Sequence, residues 1–289
     1  MLKIEKTDIY GWEAAIRGAR NSFNSWDKSD SEYLSCFEAN AENRTRHTVC
    51  KDSWKIKSGI YHVGDADLAL MKKLAKAGPS HAKYRRFITV TMDVTGPLYW
   101  WKEMDTYKVG TVGNSCSTMH KIADKEFELD DFSHEHLMGF NYKLDDETTN
   151  DLYPIIAETG GEEINWSPMA YLDELVKALN FYRDRFNRTK EKEDWWQMIQ
   201  LLPSSYNQKR TLLVNYEVLA NIYQQRKGHR LDEWKTFCEW IEGLPMSEII
   251  TGEETGIDSK TIEKLVDCGN VYPISPEECR DLMKGDAND

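Results

Sequence analysis

The stretch that most constrains the fold spans residues 195–234 and reads WWQMIQLLPSSYNQKRTLLVNYEVLANIYQQRKGHRLDEW. Between residues 206 and 225 the apolar side chains recur at helical spacing, which predicts one long amphipathic helix. Asn215, Asn221 and Arg226 stand among these apolar side chains, at intervals of six and five residues. Two interpretations are open: the three polar side chains reach a shared pocket, or they form the solvated face of a surface helix.

Length and charge limit the kinds of protein this can be. A chain of 289 residues is long enough for one large domain or two small ones with a sizeable core. The net charge of −12 argues against a protein that coats nucleic acid, which needs a basic surface. It leaves room for a nucleotide bound in a local pocket of Arg and Lys. The many aromatic residues, 10 Trp, 14 Tyr and 9 Phe, indicate an aromatic core or interface.

The cysteines and the hydropathy pattern point to a cytoplasmic protein. The 6 cysteines show no CxxC spacing in a chain with ample core material, so we interpret them as reduced thiols. The N-terminus lacks an apolar signal core, and no apolar run approaches the roughly 20 residues that span a bilayer. We therefore expect no membrane segment.

Local patterns predict alternating strands and helices, an α+β arrangement. The long helix that begins after Ser167 should supply both core and oligomer interface, because its apolar residues recur at helical spacing. The predicted elements are a strand at 2–9, a helix at 11–20, a helix at 66–77 capped by Asp65, a strand at 84–95 ended by Gly96-Pro97, and helices at 98–105, 168–187 and 231–243, with shorter helical patterns at 259–266 and 276–283.

Two polar segments invite a functional interpretation. The loop at 21–31 is either an ordinary solvated loop or, because Arg17, Arg20 and Lys28 surround Trp26, a site for an anion with a flat ring attached. The acidic region around His134-Glu135-His136 has no evident second group of metal ligands. We expect an acidic surface insertion there, at about 122–165, and no metal site.

The late stretch resembles the C-terminal part of the flavin-dependent thymidylate synthase family. The resemblance rests on the Leu-Leu-Pro run that ends at Pro203, followed by Asn215, Asn221 and Arg226 with no gap. It implies that the two asparagines contact a flavin and that the arginine holds the pyrimidine of a nucleotide. The chain departs from the family at Ile199, where the family has Arg, and at Arg230, where it has His.

The family's signature motif lies just after an aromatic pair, and here Trp100-Trp101 precedes Lys102-Glu103-Met104 in place of Arg-His-Arg. After an insertion at 108–113, Asn114-Ser115-Cys116-Ser117 matches the Asn-Glu-x-Ser of the motif. The resemblance implies a nucleotide site that includes Tyr99, Asn114, Ser115 and Ser117. It also implies flavin contacts from Lys102 and from His81 and Tyr84, which stand near the positions of the family's histidines. Met119-His120 replace the final Arg-Tyr of the motif.

The resemblance further implies a fold, an assembly and a reaction. It predicts a ThyX-like α+β domain over 1–245, with a central antiparallel or mixed sheet and flanking long helices, followed by an accessory tail at 246–289. The family is a homotetramer whose sites are shared between subunits. The activity implied is C5-methylation of dUMP to dTMP with FAD, with methylenetetrahydrofolate as donor and NADPH as reductant, in a divergent, phage-type branch. A protein of the same fold that binds nucleotides or assembles without flavin, and an enzyme for a different nucleotide or donor, are the alternatives.

In this chemistry the cofactor carries the reaction, and the protein supplies orientation and charge. Arg226 can stabilise the enolate-like charge on the uracil, while Ser117 and the backbone at 114–119 can hold a phosphate. Replacement of Arg-His-Arg by Lys102-Glu103-Met104 should weaken contact with the flavin diphosphate, because Lys lacks the bidentate geometry of Arg. The cations that could restore this charge are Lys108, His120, Lys121, Lys209 and Arg210.

Overall fold

The computed structural model of the chain describes residues 2–35, 48–50, 59–138 and 167–253, and these form an α+β protein. The strands are β1 Lys3–Tyr10, β2 Glu32–Ser35, β3 Thr48–Cys50, β4 Gly59–His62, β5 Thr89–Pro97, β6 Val112–Ser115 and β7 Asn207–Asn215. The helices are α1 Trp12–Asn21, α2 Asp65–Lys76, α3 Leu98–Met104, α4 Thr118–Lys121, α5 Pro168–Thr189, α6 Lys192–Leu201, α7 Tyr216–Arg226, α8 Asp232–Glu242 and α9 Glu248–Thr251. Short 3₁₀ helices lie at Trp26–Lys28, Ala82–Phe87 and Leu129–Asp131.

The main sheet has four strands in the order β1-β5-β7-β6. Hydrogen bonds beyond the strand ends give its directions: the start of β5 meets the end of β7 through Tyr216 N to Ile88 O, and the end of β5 meets the start of β7 through Leu98 N to Tyr206 O. This arrangement is antiparallel. Along β5, fully buried and half-buried residues alternate, so one face of the strand lies in the core. A second sheet, β2-β4-β3, pairs antiparallel with Glu32 opposite His62.

The described residues divide into two compact units. The sheet unit comprises Leu2–Val94, Asp105–Asn114 and the chain from Arg210 onwards. The helical unit comprises Thr95–Met104 and Ser115–Lys209. The core of the helical unit combines residues of α5 and α6 with side chains from the segment after α4: Ile122, Ala123, Phe127, Phe132, Leu172, Val176, Leu179 and Met198.

The prediction of a single helix over 206–225 is wrong, because that stretch forms β7 followed by α7. Leu212 and Val214 are buried on β7 while Leu213 is exposed, which is the period of a strand. The helix begins only after Asn215, whose side-chain Oδ1 accepts a hydrogen bond from Val218 N at 3.0 Å. Adjacent leucines fit helical and strand periods equally over a few residues, so the capping residue was the better signal.

The strand predicted at 84–95 is displaced. Its first part is the 3₁₀ helix Ala82–Phe87, and β5 starts at Thr89 and continues through Gly96 to Pro97. Pro97 is the last residue of β5 and Leu98 begins α3, so Gly96-Pro97 does not end the strand earlier. The cap of α2 is also corrected, since Gly64 is the N-cap and Asp65 is the first helical residue.

Other predicted elements are confirmed. The first strand and helix are present as β1 and α1, and α3 and α8 lie where the sequence placed them. α5 begins at Pro168 after Ser167, whose Oγ accepts a hydrogen bond from Ala170 N at 3.1 Å. The patterns at 259–266 and 276–283, and most of the acidic insertion, lie outside the described residues. Within the described part of the chain, no helix is long and apolar enough to cross a membrane.

The polar loop at 21–31 is fixed to the sheet unit by a buried carboxylate. Asp67 accepts hydrogen bonds from Arg20 Nε, Ser29 Oγ and Ser31 Oγ, each at 2.6 Å. Arg20 and Asp67 are almost fully buried. The positive charge of Arg20 is therefore paired with the buried carboxylate of Asp67. The loop is held to the sheet unit by these contacts and is more than a solvated loop. Trp26 is exposed, with its indole N–H donated to Asn21.

Candidate active site

Arg226 lies at the C-terminal end of α7, in a cluster of aromatic side chains of the sheet unit. Its Nε donates to the hydroxyl oxygen of Tyr107 at 2.8 Å. Its guanidinium carbon lies 4.7 Å from the ring centroid of Trp234 and 5.6 Å from that of Tyr107. The two rings meet edge to face. Hydrogen bonding and cation–π contacts together hold the guanidinium in one orientation.

A further hydrogen bond ties this aromatic cluster to the helix. The Tyr107 hydroxyl donates to Oε1 of Gln225 at 3.0 Å. The side chain of Gln225 in turn donates to Oδ1 of Asn221 at 2.8 Å. A chain of hydrogen bonds therefore runs from Arg226 through Tyr107 and Gln225 to Asn221, which links two of the three polar residues singled out in the sequence.

Asn215 occupies the opposite end of α7. Its Oδ1 is the N-cap acceptor, and its amide nitrogen faces the backbone of Gly110. A Cβ on Gly110 would lie 3.0 Å from Asn215 Nδ2 and 3.0 Å from Val218 Cγ2. Gly110 has a φ of +84°, a conformation that favours glycine. The close approach of the two backbones thus depends on the absence of a side chain at Gly110.

The geometry of α7 separates the three polar residues. Asn215 and Arg226 are eleven residues apart, so they lie on about the same side of the helix and roughly 16 Å apart along its axis. Asn221 lies about 120° around the helix from Asn215. One compact pocket within a single chain therefore does not contain all three side chains.

The segment at 105–111 covers the side of α7 that carries Asn215 and Arg226. Tyr107 contacts the C-terminal end of the helix, and Gly110 contacts its N-terminal end. The segment is anchored by Asp105, which accepts a hydrogen bond from Arg210 at 2.7 Å. We call it the covering segment. It includes the first part of the insertion that separates the two halves of the family-like motif.

The predicted phosphate-binding residues lie along the exposed edge of the main sheet. β6 is an edge strand, and Asn114, Ser115 and Ser117 are exposed. The backbone N–H of Cys116 donates to Lys209 O on β7. Because successive N–H groups of a strand point to opposite sides, the N–H of Ser115 points to the free edge. Ser117 is the N-cap of α4, where its Oγ accepts from His120 N at 3.4 Å. The backbone at 114–119, which was expected to hold a phosphate, is thus the end of β6 followed by one helical turn.

Lys102 and Tyr99 lie on α3 in the helical unit. Lys102 is exposed, while the half-buried Tyr99 has its hydroxyl 3.0 Å from Ser133 Oγ. The two tryptophans beside them, Trp100 and Trp101, are fully buried and anchor the helix. Lys102 is therefore the side chain of this helix that is best placed to meet a ligand anion.

His81 and Tyr84, which stand near the positions of the family's histidines, lie in different environments. His81 is exposed at the start of the 3₁₀ helix. Tyr84 is 3 % exposed and donates its hydroxyl to Met71 O at 2.7 Å. Burial raises the pKa of the Tyr84 phenol well above its ordinary value. This is the environment of a core tyrosine, and the flavin-binding role of both residues stays a prediction.

The cations expected to restore charge are partly neutralised by carboxylates. Arg210 pairs with Asp105 at 2.7 Å, and Lys121 pairs with Asp124 at 2.8 Å. Lys102, Lys108 and Lys209 are exposed. The described residues therefore fit FAD only in part. Asparagine amides are present to contact the flavin ring, but there are fewer cations for the diphosphate than in the family's motif. Among these described residues, no group of three or more His, Cys, Asp or Glu is arranged to hold a metal ion.

Sequence reasoning missed the residues that position Arg226. Tyr107 and Trp234 lie in different elements, and only the fold brings them to one guanidinium. Gly110 was passed over as part of an insertion. A glycine among charged and β-branched residues often marks a place where two backbones approach closely, and this was the signal available in the sequence.

Comparison with solved structures relates the fold to a known one. Flavin-dependent thymidylate synthase ThyX from Helicobacter pylori, complexed with FAD and dUMP, matches with a TM-score of 0.52 and 12% identity, over 86% of this chain and 98% of that chain. A second structure of the same enzyme with FAD and dUMP also gives 0.52 at 12% identity, over 87% and 98%. The UMP/dUMP methylase PolB from Streptomyces cacaoi, bound with 5-Br UMP, gives 0.51 at 11% identity, over 87% and 95%.

No protein-family profile matches the sequence, and a search of curated proteins gives no significant match. The similarity is therefore carried by the arrangement of strands and helices along nearly the whole of the compared structures. This chain has the fold of the flavin-dependent thymidylate synthases, which confirms the resemblance found in its sequence.

Proposed function

We propose that the protein methylates C5 of a pyrimidine deoxynucleotide, converting dUMP to dTMP, with FAD as cofactor, methylenetetrahydrofolate as donor and NADPH as reductant. The observation that carries the proposal is the fixed guanidinium of Arg226, which is held by Tyr107 and Trp234. By the resemblance in sequence, Arg226 is the residue that would hold the pyrimidine. The similar structures contain FAD with dUMP, or a brominated UMP. Both observations favour a nucleotide as the ligand.

Arg226 would bind a carbonyl oxygen of the uracil. When C5 becomes nucleophilic, negative charge develops on that oxygen, and a donor already aimed at it stabilises the transition state without reorganisation. The hydrogen bond from Arg226 to Tyr107 and the ring of Trp234 supply this preorganisation. Tyr107 is thus a positioning residue that acts through Arg226.

The phosphate of the nucleotide would be held at the edge strand. The N–H of Ser115 and the hydroxyl of Ser117 can donate to phosphate oxygens, and Asn114 adds an amide donor. Tyr99 would contact the nucleotide, and the exposed Lys102 would contribute positive charge. In the family the sites are shared between subunits, so these residues can act together in a homotetramer.

When bound, the flavin supplies the redox and one-carbon transfer chemistry of the reaction. Asn215, Asn221 and Lys102 would hold it, with His81 and Tyr84 as the further candidates. Because the Asn215 carbonyl oxygen is used as the helix cap, its amide N–H is the group that can donate to a flavin. That N–H group faces Gly110, so flavin binding requires the covering segment to move or the ring to approach beside it.

The covering segment also favours a second function, nucleotide binding or assembly without flavin catalysis. If the covering segment stays on α7 and Glu103 repels the flavin diphosphate, the protein would bind a nucleotide, or assemble with other proteins, without flavin catalysis. A third possibility retains the enzyme chemistry but with a different nucleotide or one-carbon donor, which the UMP activity in the name of the PolB structure illustrates for this fold.

The visible spectrum of the purified protein, before and after incubation with FAD, separates these functions. The proposed function requires a bound flavin band, followed by dTMP formation from dUMP and methylenetetrahydrofolate, detected by mass spectrometry. Absence of flavin after reconstitution, together with retained dUMP binding, would establish the second function instead. Flavin binding with a methylated product from another nucleotide would establish the third.

Three variants, one of them a control, test the placement of the ligands. Arg226→Gln should weaken dUMP binding by about tenfold or more, since a charged hydrogen-bond partner is lost. Lys227→Gln removes the neighbouring positive charge, which lies over Tyr223 outside the cluster, and should leave dUMP binding unchanged. Asn215→Asp retains the capping oxygen but removes the amide donor, so it should lower FAD affinity while the protein stays folded. Equal binding by all three variants would show that the ligands bind elsewhere.

A further inference from the structure

A cavity of about 450 Å³ lies in the helical unit, next to Ser117, whose Oγ accepts a hydrogen bond from the backbone N–H of the lining residue His120. It is bounded by the segment that follows Ser117 and by the turn between α5 and α6. Cavities of several hundred Å³ with mixed apolar and polar lining are typical of small-molecule sites. The lining residues are Met119, His120, Ile122, Ala123, Phe186, Lys190, Lys192 and Trp195.

Hydrogen bonds between the two sides fix the shape of this cavity. The indole N–H of Trp195 donates to Met119 O at 3.0 Å, and the amide of Asn187 donates to Ala123 O at 2.8 Å. Phe186 and Trp195 also pack against the core of the helical unit. The cavity is therefore preformed, so a ligand would bind without the cost of ordering its walls.

Its lining combines aromatic rings with basic side chains. The rings of Phe186 and Trp195 offer flat apolar surfaces, while Lys190, Lys192 and His120 supply nitrogen atoms. Lys190 Nζ lies 5.3 Å from the centroid of the Phe186 ring. Among the described residues that line the cavity there is no carboxylate. An anion bound there would meet attraction from the lining itself.

The conformation of Lys190 adds a separate argument. Lys190 ends α5 with a φ of 59° and a ψ of 20°, the left-handed position that helices most often fill with glycine. A side chain there costs free energy relative to glycine, and strain of this kind concentrates at ligand sites. Lys190 lines the cavity, and its Nζ lies over the ring of Phe186, another lining residue.

We propose that this cavity binds a flat aromatic or heteroaromatic ring carrying a carboxylate or a phosphate group. The ring stacks in the aromatic part of the cavity, and the anion is held by Lys190 and Lys192, with His120 as a further donor. An aromatic carboxylate and a nucleotide share this chemistry. Lys190 and Lys192 are not among the residues proposed above to hold the flavin or the nucleotide, and the proposal does not rest on the proposed function.

Anilinonaphthalene sulfonate, a flat fluorescent anion, serves as the probe on the full-length protein in the absence of flavin and dUMP. The double variant Lys190→Gly/Lys192→Gln removes both lysine charges and relieves the backbone of residue 190, so it should fold at least as well as the wild type. We expect it to raise the Kd of the probe by about tenfold or more, since two charge contacts are lost.

Two controls separate charge at the cavity from charge in general. Lys190→Arg retains the cation and should bind the probe like the wild type. Lys177→Gln removes a lysine on the same helix that pairs with Asp173 and Glu174 outside the cavity, and should also leave the Kd unchanged. Equal affinity in the double variant and the wild type, or no binding by the wild type, would overturn the proposal.

Competition against the bound probe identifies the ligand class. Displacement by 1-naphthoate but not by AMP would assign an aromatic carboxylate, and the reverse would assign a nucleotide. Failure of both to displace the probe at millimolar concentration would overturn the assignment to a ring with a carboxylate or a phosphate. Loss of dUMP turnover with an intact cavity titration would count against the proposed function alone.

Discussion

The carboxylate of Asp67 shows how much one buried residue can organise. It joins α2 to α1 and to the loop before β2 through hydrogen bonds from Arg20, Ser29 and Ser31. Burial alone would raise the pKa of Asp67, but the hydrogen bonds and the charge of Arg20 outweigh that effect and hold it below its ordinary value of 3.8. The ionised form of Asp67 is thus the form that stabilises the fold.

Replacing Asp67 should therefore be costly above pH 4. We expect Asp67→Asn to lower the free energy of unfolding at pH 7 by about 3–5 kcal/mol, because Arg20 would be left as an unpaired buried charge. A depressed pKa adds stability above the unfolded pKa, and that stability is lost as pH falls through the folded pKa. The deficit of the variant should accordingly shrink below about pH 4.

Urea unfolding at pH 7 and pH 3 measures both effects. The exposed pair of Arg17 and Glu13 provides the control, and Arg17→Gln should cost less than about 1 kcal/mol. A deficit for Asp67→Asn that is as small as that of Arg17→Gln, or independent of pH, would contradict the assignment.

A single hydroxyl, that of Tyr107, is expected to position the guanidinium of Arg226. Tyr107→Phe retains the ring that meets Trp234 and removes the oxygen that accepts from Arg226 and donates to Gln225. We expect about threefold to tenfold weaker dUMP binding and a stability loss of about 1 kcal/mol. Isothermal titration with dUMP and thermal unfolding measure the two quantities.

Tyr223→Phe is the matched control, because Tyr223 lies on α7, the helix that carries Arg226, and donates its hydroxyl to Glu242 at 2.7 Å. It should lose comparable stability but retain dUMP affinity. If both variants lost the same affinity, a general effect of removing a tyrosine hydroxyl that contacts or belongs to α7 would explain the result, and the positioning role of Tyr107 would be excluded.

At the scale of elements, the covering segment at 105–111 is the feature that most alters the site. Its approach to α7 depends on Gly110, which has a positive φ and no room for a side chain. Gly78 also has a positive φ, of +102°, but a Cβ there would meet nothing within 4 Å. The two glycines thus separate the cost of the backbone conformation from the cost of the close approach.

We expect Gly78→Ala to cost about 1 kcal/mol, because only the left-handed conformation is strained. Gly110→Ala should cost about 1–3 kcal/mol more, because its Cβ would press on Asn215 and Val218. It should also loosen the covering segment and, if that segment limits access, raise FAD affinity. Chemical unfolding and FAD titration of both variants test this. Equal costs would show that the segment does not pack on α7.

Much of the element order could be predicted from the sequence, and the failures have physical causes. Ser167 and Pro168 correctly predicted the start of α5, because serine is favoured at the N-cap and proline at the first helical position. The boundary at Asn215 was missed because the paired leucines on β7 fit both periods, so an asparagine with a capping role was interpreted only as a pocket residue. The 3₁₀ helix before β5 was missed because its alternating side chains imitate a strand.

The candidate site was predictable only where it is local in sequence. Asn221 and Arg226 are close along the chain, and the structure links them through Gln225 and Tyr107. The contribution of Tyr107 requires a contact across more than a hundred residues, which spacing cannot reveal. The burial of Tyr84 and its hydrogen bond to Met71 O could not be predicted from the sequence either. A single tyrosine in an alternating pattern does not show which side of the segment faces the core.

At the scale of the whole molecule, exposed apolar side chains and net charge have opposite effects on the association of subunits. Both units expose large apolar side chains, with Val112 66 % exposed in the sheet unit and Phe181 57 % exposed in the helical unit. Burying such side chains between subunits would favour association, because it removes apolar surface from water. The net charge of −12 opposes it, because acidic chains repel one another. Assembly should therefore depend on ionic strength, which screens that repulsion.

We expect a homotetramer, as the resemblance to the family implies, with a mass in light scattering near four times the 33.6 kDa of one chain. Its fraction should rise when salt is increased from about 20 mM to about 150 mM, since the Debye length then falls to about 8 Å. If the nucleotide site is completed by a neighbouring subunit, dUMP binding should weaken on dilution in parallel with the loss of tetramer. Light scattering and equilibrium dUMP binding across the same dilution series measure both. Because Arg226 and Tyr107 belong to one chain, a monomer that bound dUMP with undiminished affinity would show that a single chain suffices for the site.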